Sequence, residues 1–255
     1  MMQKIRGQER LLNEIDSYNI DTFPTTSLIV GEPGSGKNLV VEYIASKLHL
    51  NKVNITDLIG NEIYHLIEPT LVYVDIDNTS ISDQNRLLKV VEEPPTGVFI
   101  VLMVSDKDNL IETLLSRCHE FKLDRYDAEF LRNFVVGDDH SFSLEIGTTP
   151  GDIIRLNSID LEKLTSICYE VLDGIGLLRA IELVEEIEKY DVDIFLKAML
   201  AVEFKDSGRR DPDTMTKYMR ITADTLKISK NKTIDRSKIL SSYLTAIIGA
   251  NKLER

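Results

Sequence analysis

The sequence is short of nearly everything that would tie it to a metal cluster, a disulfide framework or a membrane. Its 255 residues include two cysteines, Cys118 and Cys168, separated by 50 positions. That spacing suits neither a ligand cluster nor a disulfide framework, and fits a reducing, cytoplasmic setting. The four histidines, His49, His65, His119 and His140, stand at no ligand spacing and read as solvated or core residues. No apolar run approaches the ~18 residues of a membrane span, so no membrane is expected. The opening "MMQKIRGQER" has no apolar core behind its basic residues and does not read as a secretory signal. Positive charge is in deficit, with 30 Lys and Arg against 42 Asp and Glu and a net charge of -12. This excludes a protein that grips nucleic acid alone through a broad basic surface, but not one that works beside DNA within a larger assembly. Internal repeats and low-complexity segments are absent. What remains, 43% apolar and 28% charged, is a globular chain that can hold two or three domains with a sizeable core.

The first stretch with chemical content is "SLIVGEPGSGKNLVV". A short apolar run enters a glycine-rich turn, and Leu39, Val40, Tyr43, Ile44 and Leu48 then share a helical face. Gly31, Gly36 and Lys37 satisfy the phosphate-loop pattern G-x-x-x-x-G-K in the strand–loop–helix context it requires. The loop residues Gly31, Pro33, Gly34, Ser35, Gly36, Lys37 and Asn38 would form a concave nest for phosphate from successive backbone N–H groups. Lys37 and the positive helix end would add charge. Asn38 stands where Ser or Thr ordinarily ligates Mg²⁺, so the nest survives and the metal site is weakened. The plain alternative is a glycine turn between strand and helix.

"TLVYVDID" reads as a second strand from Thr70 to Asp77, and "GVFIVLMVS" as a third from Gly97 to Ser105. Continuous apolar runs of this kind suit a parallel sheet covered on both faces. Between them "QNRLLKVVEEPP" reads as a helix stopped by Pro94–Pro95. Asp75 and Asp77 are the candidate Mg²⁺-side carboxylates. On an extended strand both would share a face. If Asp75 serves the metal, Ile76 occupies the position of a water-orienting Glu; if Asp77 stands for that Glu, Ile76 occupies the metal position. Plain strand-end aspartates are the alternative. After about Leu123 the pattern becomes helical, with stripes at Leu161–Leu172, at Leu178, Ile181, Val184 and Ile187, at Phe195–Val202 and at Ile239–Ile248.

"LLKVVEEPPTGVFIVLMVSDKDNLIETLLSRCHEFKL", Leu87 to Leu123, resembles the bacterial AAA+ clamp-loader subunits of DNA polymerase III, the delta-prime type first and the gamma type next. "LLKVVEEPP", the SRC-like "LLSRC" (Leu114 to Cys118), their separation, and "GQE" (Gly7 to Glu9) carry the likeness. It covers about the first 155 residues; the C-terminal helices match only in kind. The resemblance implies an α/β AAA+ phosphate-loop domain over 1–123, a helical lid over 124–157 and an all-α collar over 158–255. It implies ATP or ADP with Mg²⁺, and no zinc, because the stretch from Leu48 to Thr70 contains no cysteine. It makes Arg117 an arginine finger toward a neighbouring subunit's nucleotide, a task suited to a permanently charged, fork-shaped donor. An intrachain ion pair is the alternative. Cys118, without a base partner, reads as a packed thiol. Ser105 falls at or beside the sensor-1 position, where it would bond the γ-phosphate. In "GTTPGDIIRL" Asp152 stands where ATPase relatives carry the sensor-2 arginine, and Arg155 follows one turn later as a substitute candidate.

The implied partners are the other subunits of a hetero-oligomeric ring, the sliding clamp, and primed DNA through the assembly. The implied role is a delta-prime-like subunit with weak or absent hydrolysis of its own. The alternatives are a gamma-like motor ATPase and, more remotely, a small-molecule kinase with a phosphate loop.

Overall fold

The structure, a computed structural model, describes residues 5–55, 63, 66, 69–77, 79–136, 141–230 and 234–252; His65 and His140 lie outside the described residues. The chain divides into two compact units, Met1–Phe130 with Thr149–Gly151, and Leu131–Thr148 with Asp152–Arg255.

The first unit contains α1 (Glu9–Asp16), β1 (Thr26–Val30), α2 (Lys37–Lys47), β2 (Asn51–Asn54), β3 (Thr70–Asp75), α3 (Ile81–Glu92), β4 (Val98–Val104), a 3-10 turn at Lys107–Asn109, α4 (Glu112–Leu115) and β5 (His119–Lys122). The strands form one sheet in the order β2-β3-β4-β1-β5, and every pairing is parallel. All five residues of β1 and all seven of β4 are buried, as central strands covered on both faces require. The pleat divides β4 between two cores. Val98, Ile100, Leu102 and Val104 pack with Val91 of α3 and Leu114 of α4. Phe99, Val101 and Met103 pack with Leu11 of α1 and Val40 and Ile44 of α2. Both neighbours of β1 come later in the chain, so the loop after β1 opens at the carboxyl end of the sheet, where open parallel sheets bind ligands.

The ends of α2 explain themselves locally. Gly36 caps its start at φ 99°, in the left-handed region. Past its end His49 takes φ 54°, and the N–H groups of Leu50 and His49 close onto the carbonyls of Ala45 and Ser46. That is a Schellman turn with His in the position glycine usually takes. β3 stops earlier than the sequence suggests, at Asp75 rather than Asp77. Past Asp75 the chain turns, and the Asp77 N–H donates to Asp75 Oδ1 at 3.1 Å. The alternation that would have set both carboxylates on one face therefore does not reach Asp77.

From α5 (Ala128–Arg132) onward the described residues contain helices and no strand: α6 (Ser141–Ile146), α7 (Pro150–Leu156), α8 (Leu161–Asp173), α9 (Leu177–Ile187), α10 (Val192–Asp206), α11 (Pro212–Ser229) and α12 (Arg236–Lys252). The expected α/β part followed by a helical part is thus what the chain forms. Asp160, Asp191 and Asp211 cap α8, α10 and α11 by accepting from the N–H groups of Lys163, Asp193 and Thr214. Caps of this kind contribute about 1 kcal/mol each. The stripe expected on α9 differs from the buried one. Ala180, Leu183, Val184 and Ile187 face the core, while Leu178 is 81% and Ile181 61% exposed. The expected residues are spaced by three, and on a helix of 3.6 residues per turn that spacing precesses by about 60° each step, so its ends cannot share a face.

Candidate nucleotide site and a surface arginine

The loop between β1 and α2 is shaped by its glycines. Gly34 and Gly36 have φ 78° and 99°. A Cβ on Gly31 would lie 2.7 Å from Ser35 Oγ, so glycine is needed there for space. Ser35 is buried, and its Oγ has no hydrogen-bond partner among the described residues. An unpartnered buried hydroxyl costs free energy unless something bonds it, and an anion's oxygen would do so. Lys37 opens α2 and so stands at the positive end of that helix's dipole. These residues fit a phosphate group.

Lys37 Nζ donates to the Gly31 carbonyl at 2.6 Å and to Ser105 Oγ at 2.9 Å. Ser105, the residue after β4, donates its hydroxyl to Asp77 Oδ2 at 2.6 Å and its N–H to Asp77 Oδ1 at 2.5 Å. Lys37 Nζ lies 3.8 Å from Asp77 Oδ2, with both side chains largely buried. The fold therefore brings together Gly31, Lys37, Ser105 and Asp77 from β1, α2, β4 and the end of β3. Asp75 is exposed and bonds only the turn that leads to Asp77 among the hydrogen bonds described. Of the two carboxylates left open by the sequence, Asp77 is the one at the lysine. Pro33, Gly34 and Asn38 are exposed at the loop's rim. For Mg²⁺ the chain offers the Asn38 amide oxygen in place of a hydroxyl, and an Asp77 carboxylate already bonded by Ser105.

Arg117 follows α4 and is 38% exposed at its side chain. Its guanidinium pairs with Glu92 at the end of α3 at 2.7 Å, and donates to the Thr113 carbonyl at 2.8 Å and Ser116 Oγ at 3.4 Å. The intrachain ion pair, the sequence's alternative to an arginine finger, is thus present, on a side chain that remains part-exposed. Cys118 is half-buried against the core formed with β4, and burial pushes its thiol up to about 11. It is a packed thiol, protonated at neutral pH. His119 lies 3.4 Å from both Tyr18 Oη and Glu14 Oε1, an ordinary half-buried histidine.

Arg155 belongs to the helical unit. Its guanidinium bridges Asp152 at 2.6 Å and Asp191 at 2.7 Å. Lys197 of α10 also reaches Asp152, at 2.6 Å. Burial opposes ionisation of Asp152, but Lys197, the Thr148 N–H and Arg155 outweigh it and hold the carboxyl below its usual range. This part of the unit's stability is present above the ordinary carboxylate range and is lost as pH falls through the lowered value. Asp152→Ala is expected to cost roughly 2–3 kcal/mol in equilibrium denaturation at pH 7, less than a fully buried pair because Lys197 and Arg155 keep access to water. A change below about 0.5 kcal/mol, the range of ordinary surface substitutions, would show the cluster to be incidental.

Of three further residues at the loop, Tyr126 has no signal in the sequence that would mark it, and Thr149 and Gly151 have only that of their stretch, "GTTPGDIIRL". Gly7 and Gln8 do carry one, the "GQE" stretch. Buried Gln8 exchanges hydrogen bonds with the Asp124 backbone at 2.9 and 2.7 Å, and Gly7, at φ 73°, lies under the Tyr126 ring.

Comparison with known proteins places this geometry in context. Residues 69–127, which carry β3, α3, β4, α4 and β5, match the family described as DNA polymerase III, delta subunit. Over 59 residues the chain is 39% identical to DNA polymerase III subunit tau of Salmonella typhimurium and of Escherichia coli. That stretch is 22% of this chain and 9% of those proteins, so the chain covers about a tenth of the length of the curated relatives it matches. Among solved structures, the Holliday junction branch migration motor RuvB of Thermotoga maritima is 18% identical, covering 92% of this chain and 81% of that one at a TM-score of 0.47. A DNA polymerase III gamma-subunit-related protein of Thermotoga maritima is 13% identical, covering 94% and 99% at a TM-score of 0.49. The matched segment contains the whole of Leu87–Leu123, where the sequence resembles clamp-loader subunits.

Proposed function

We propose, supported by the match of residues 69–127 to the family described as DNA polymerase III, delta subunit, that this chain is a clamp-loader subunit of delta-prime type. It binds ATP or ADP at Gly31–Asn38, hydrolyses it slowly or not at all, and presents Arg117 to the nucleotide of a neighbouring subunit. Its partners are the other subunits of a hetero-oligomeric ring, the sliding clamp and, through the assembly, primed DNA, in the cytoplasm. Residues 1–123 act as the nucleotide-binding part, 124–157 as the lid, and 158–255 as the collar through which subunits associate. The observation that carries this reading is the division of labour in the first unit. Lys37, Ser105 and Asp77 converge on the phosphate loop, while Arg117 is held at the surface by Glu92.

Bound nucleotide would supply the phosphates and, with Mg²⁺, a Lewis acid held by oxygens of Asn38 and Asp77 or Asp75. The chain's own residues orient and charge-balance. Lys37 must exchange the Gly31 carbonyl and Ser105 for a phosphate oxygen, and Ser105 is positioned to bond the same group. Three substitutions support slow hydrolysis: Asn38 for a hydroxyl, Ile76 beside the carboxylates, and Asp152 for an arginine. Asp152 is already neutralised by Lys197 and Arg155. One observation favours the gamma-like motor reading, namely that a carboxylate, Asp77, does stand at the lysine. Calorimetry of the isolated chain tests the binding claim. Lys37→Ala is expected to weaken ADP and ATP about 10- to 100-fold, the range for a charge-assisted hydrogen bond. Steady turnover of ATP by the isolated chain would favour the motor instead, and absence of binding at millimolar nucleotide would remove the nucleotide site.

A further inference from the structure

The phosphate loop is held from behind by residues far along the chain. Tyr126 Oη donates to the Ser35 carbonyl at 2.6 Å. Thr149 Oγ1 donates to the Pro33 carbonyl at 3.1 Å. The Gly151 N–H, in the first turn of α7, donates to the Gly34 carbonyl at 3.1 Å. Three successive carbonyls of the loop thus each accept from a different residue between 126 and 151. Thr149 is 2% exposed, so its bond is shielded from water. The approach is also tight: a Cβ on Gly151 would lie 2.6 Å from Gly34 Cα, so the two backbones touch only because both residues are glycine.

In a planar trans peptide, the carbonyl and the N–H of the same unit point in opposite directions. Drawing the Pro33 carbonyl toward Thr149 therefore turns the Gly34 N–H away from Thr149. Drawing the Ser35 carbonyl toward Tyr126 does the same to the Gly36 N–H. The intervening Ser35 N–H closes a turn on the Glu32 carbonyl at 3.1 Å. The left-handed values at Gly34 and Gly36 let the two free units swing to the same side, as an anion nest requires. Without these donors the Pro33 and Ser35 carbonyls would be freer to rotate inward, where they would repel a phosphate oxygen.

We propose that Tyr126, Thr149 and Gly151 are positioning residues that hold the phosphate loop in its anion-binding shape before a ligand arrives. The proposal rests on the nucleotide-binding reading for its ligand, a di- or triphosphate group, and on the loop's own backbone for its mechanism. A brace of this kind raises affinity by removing the ordering cost of binding.

The test uses the full chain and two readouts. Calorimetry with ADP and with pyrophosphate measures affinity, and amide hydrogen exchange of the ligand-free chain measures order over residues 33–38. Thr149→Val and Tyr126→Phe keep shape and remove one donor each. Each is expected to weaken both ligands about three- to tenfold, the worth of one hydrogen bond, and the double variant more than either. Thr149→Ser keeps the hydroxyl and is expected to bind like the wild type, which a role in packing alone would not predict. Exchange over residues 33–38 is expected to quicken in the Val and Phe variants and not in the Ser variant. Unchanged affinity and exchange in the double variant would overturn the brace. A wild-type chain that binds neither ligand would overturn the nucleotide reading alone, and exchange would still decide for or against the brace.

Discussion

Arg117→Ala is expected to slow ATP hydrolysis at the neighbouring subunit's site by roughly 10³–10⁵-fold, the worth of an arginine finger in phosphoryl transfer. On the barrier that is about 4–7 kcal/mol. The arginine is paired with Glu92, so reaching a neighbour means breaking that bond. Both side chains are more than a third exposed, at 38% and 46%, and exposed pairs contribute only about 0.2–1 kcal/mol. Release from Glu92 is therefore cheap beside the gain at a developing phosphoryl charge. The measurement is turnover by a reconstituted assembly whose neighbouring subunit carries the sole active phosphate loop. Lys37→Ala in this chain should leave that rate nearly unchanged, because it acts on a different nucleotide. Arg117→Lys should recover little, since a point charge lacks the planar fork. Wild-type turnover in the Arg117→Ala assembly would refute a role in trans and leave Arg117 as a surface ion pair.

The second large effect concerns Glu203, in the core of the helical unit. Its side chain is fully buried on α10. Thr222 Oγ1 of α11 donates to Oε1 at 2.7 Å and lies 3.1 Å from Tyr243 Oη of α12, while Oε2 has no partner among the described residues. Cys168 of α8, also fully buried, is a further titratable neighbour, and Tyr218 of α11 lies beside Tyr243. Burial pushes the Glu203 carboxyl up to about 7, with Thr222 opposing. In the unfolded chain it titrates near its ordinary 4.5. Below that value both states hold the proton and burial costs little. Between the two values the unfolded state ionises first, so stability falls as pH rises. Above the folded value the full penalty applies, about 3 kcal/mol from a shift of this size. Glu203→Gln is expected to match the wild type near pH 4.5 and to exceed it by about 3 kcal/mol at pH 8. Denaturant titrations across that range give the difference directly. A stability difference that stays constant with pH would mean that Glu203 does not titrate in the fold.

Much of this molecule is local, and local features are legible. The run from Ser27 through Lys37 announces strand, loop and helix because glycine spacing and apolar periodicity act within a few residues of each other. The helix before Pro94–Pro95 ends where the sequence says, since proline cannot continue it. The helical periodicity after Asp160 likewise names an all-helical part. What the sequence does not contain is the phase of each element against its neighbours. Asp75 and Asp77 look equivalent in "LVYVDID", and the choice falls to Asp77 because β3 ends at Asp75 and the turn beyond it meets Ser105 at the end of β4. Leu178 and Ile181 look like core residues, and their exposure follows from which side of α9 faces the helices beside it. Glu203 stands next to an apolar Phe204 in the sequence. It lies one turn past buried Met199, and Phe204, about 100° further round the helix, is 75% exposed. The contacts of Tyr126, Thr149 and Gly151 with the phosphate loop are silent in the sequence for the same reason. Their partners are 91, 116 and 117 positions away, and only the closed tertiary structure brings those backbones within a hydrogen bond of each other.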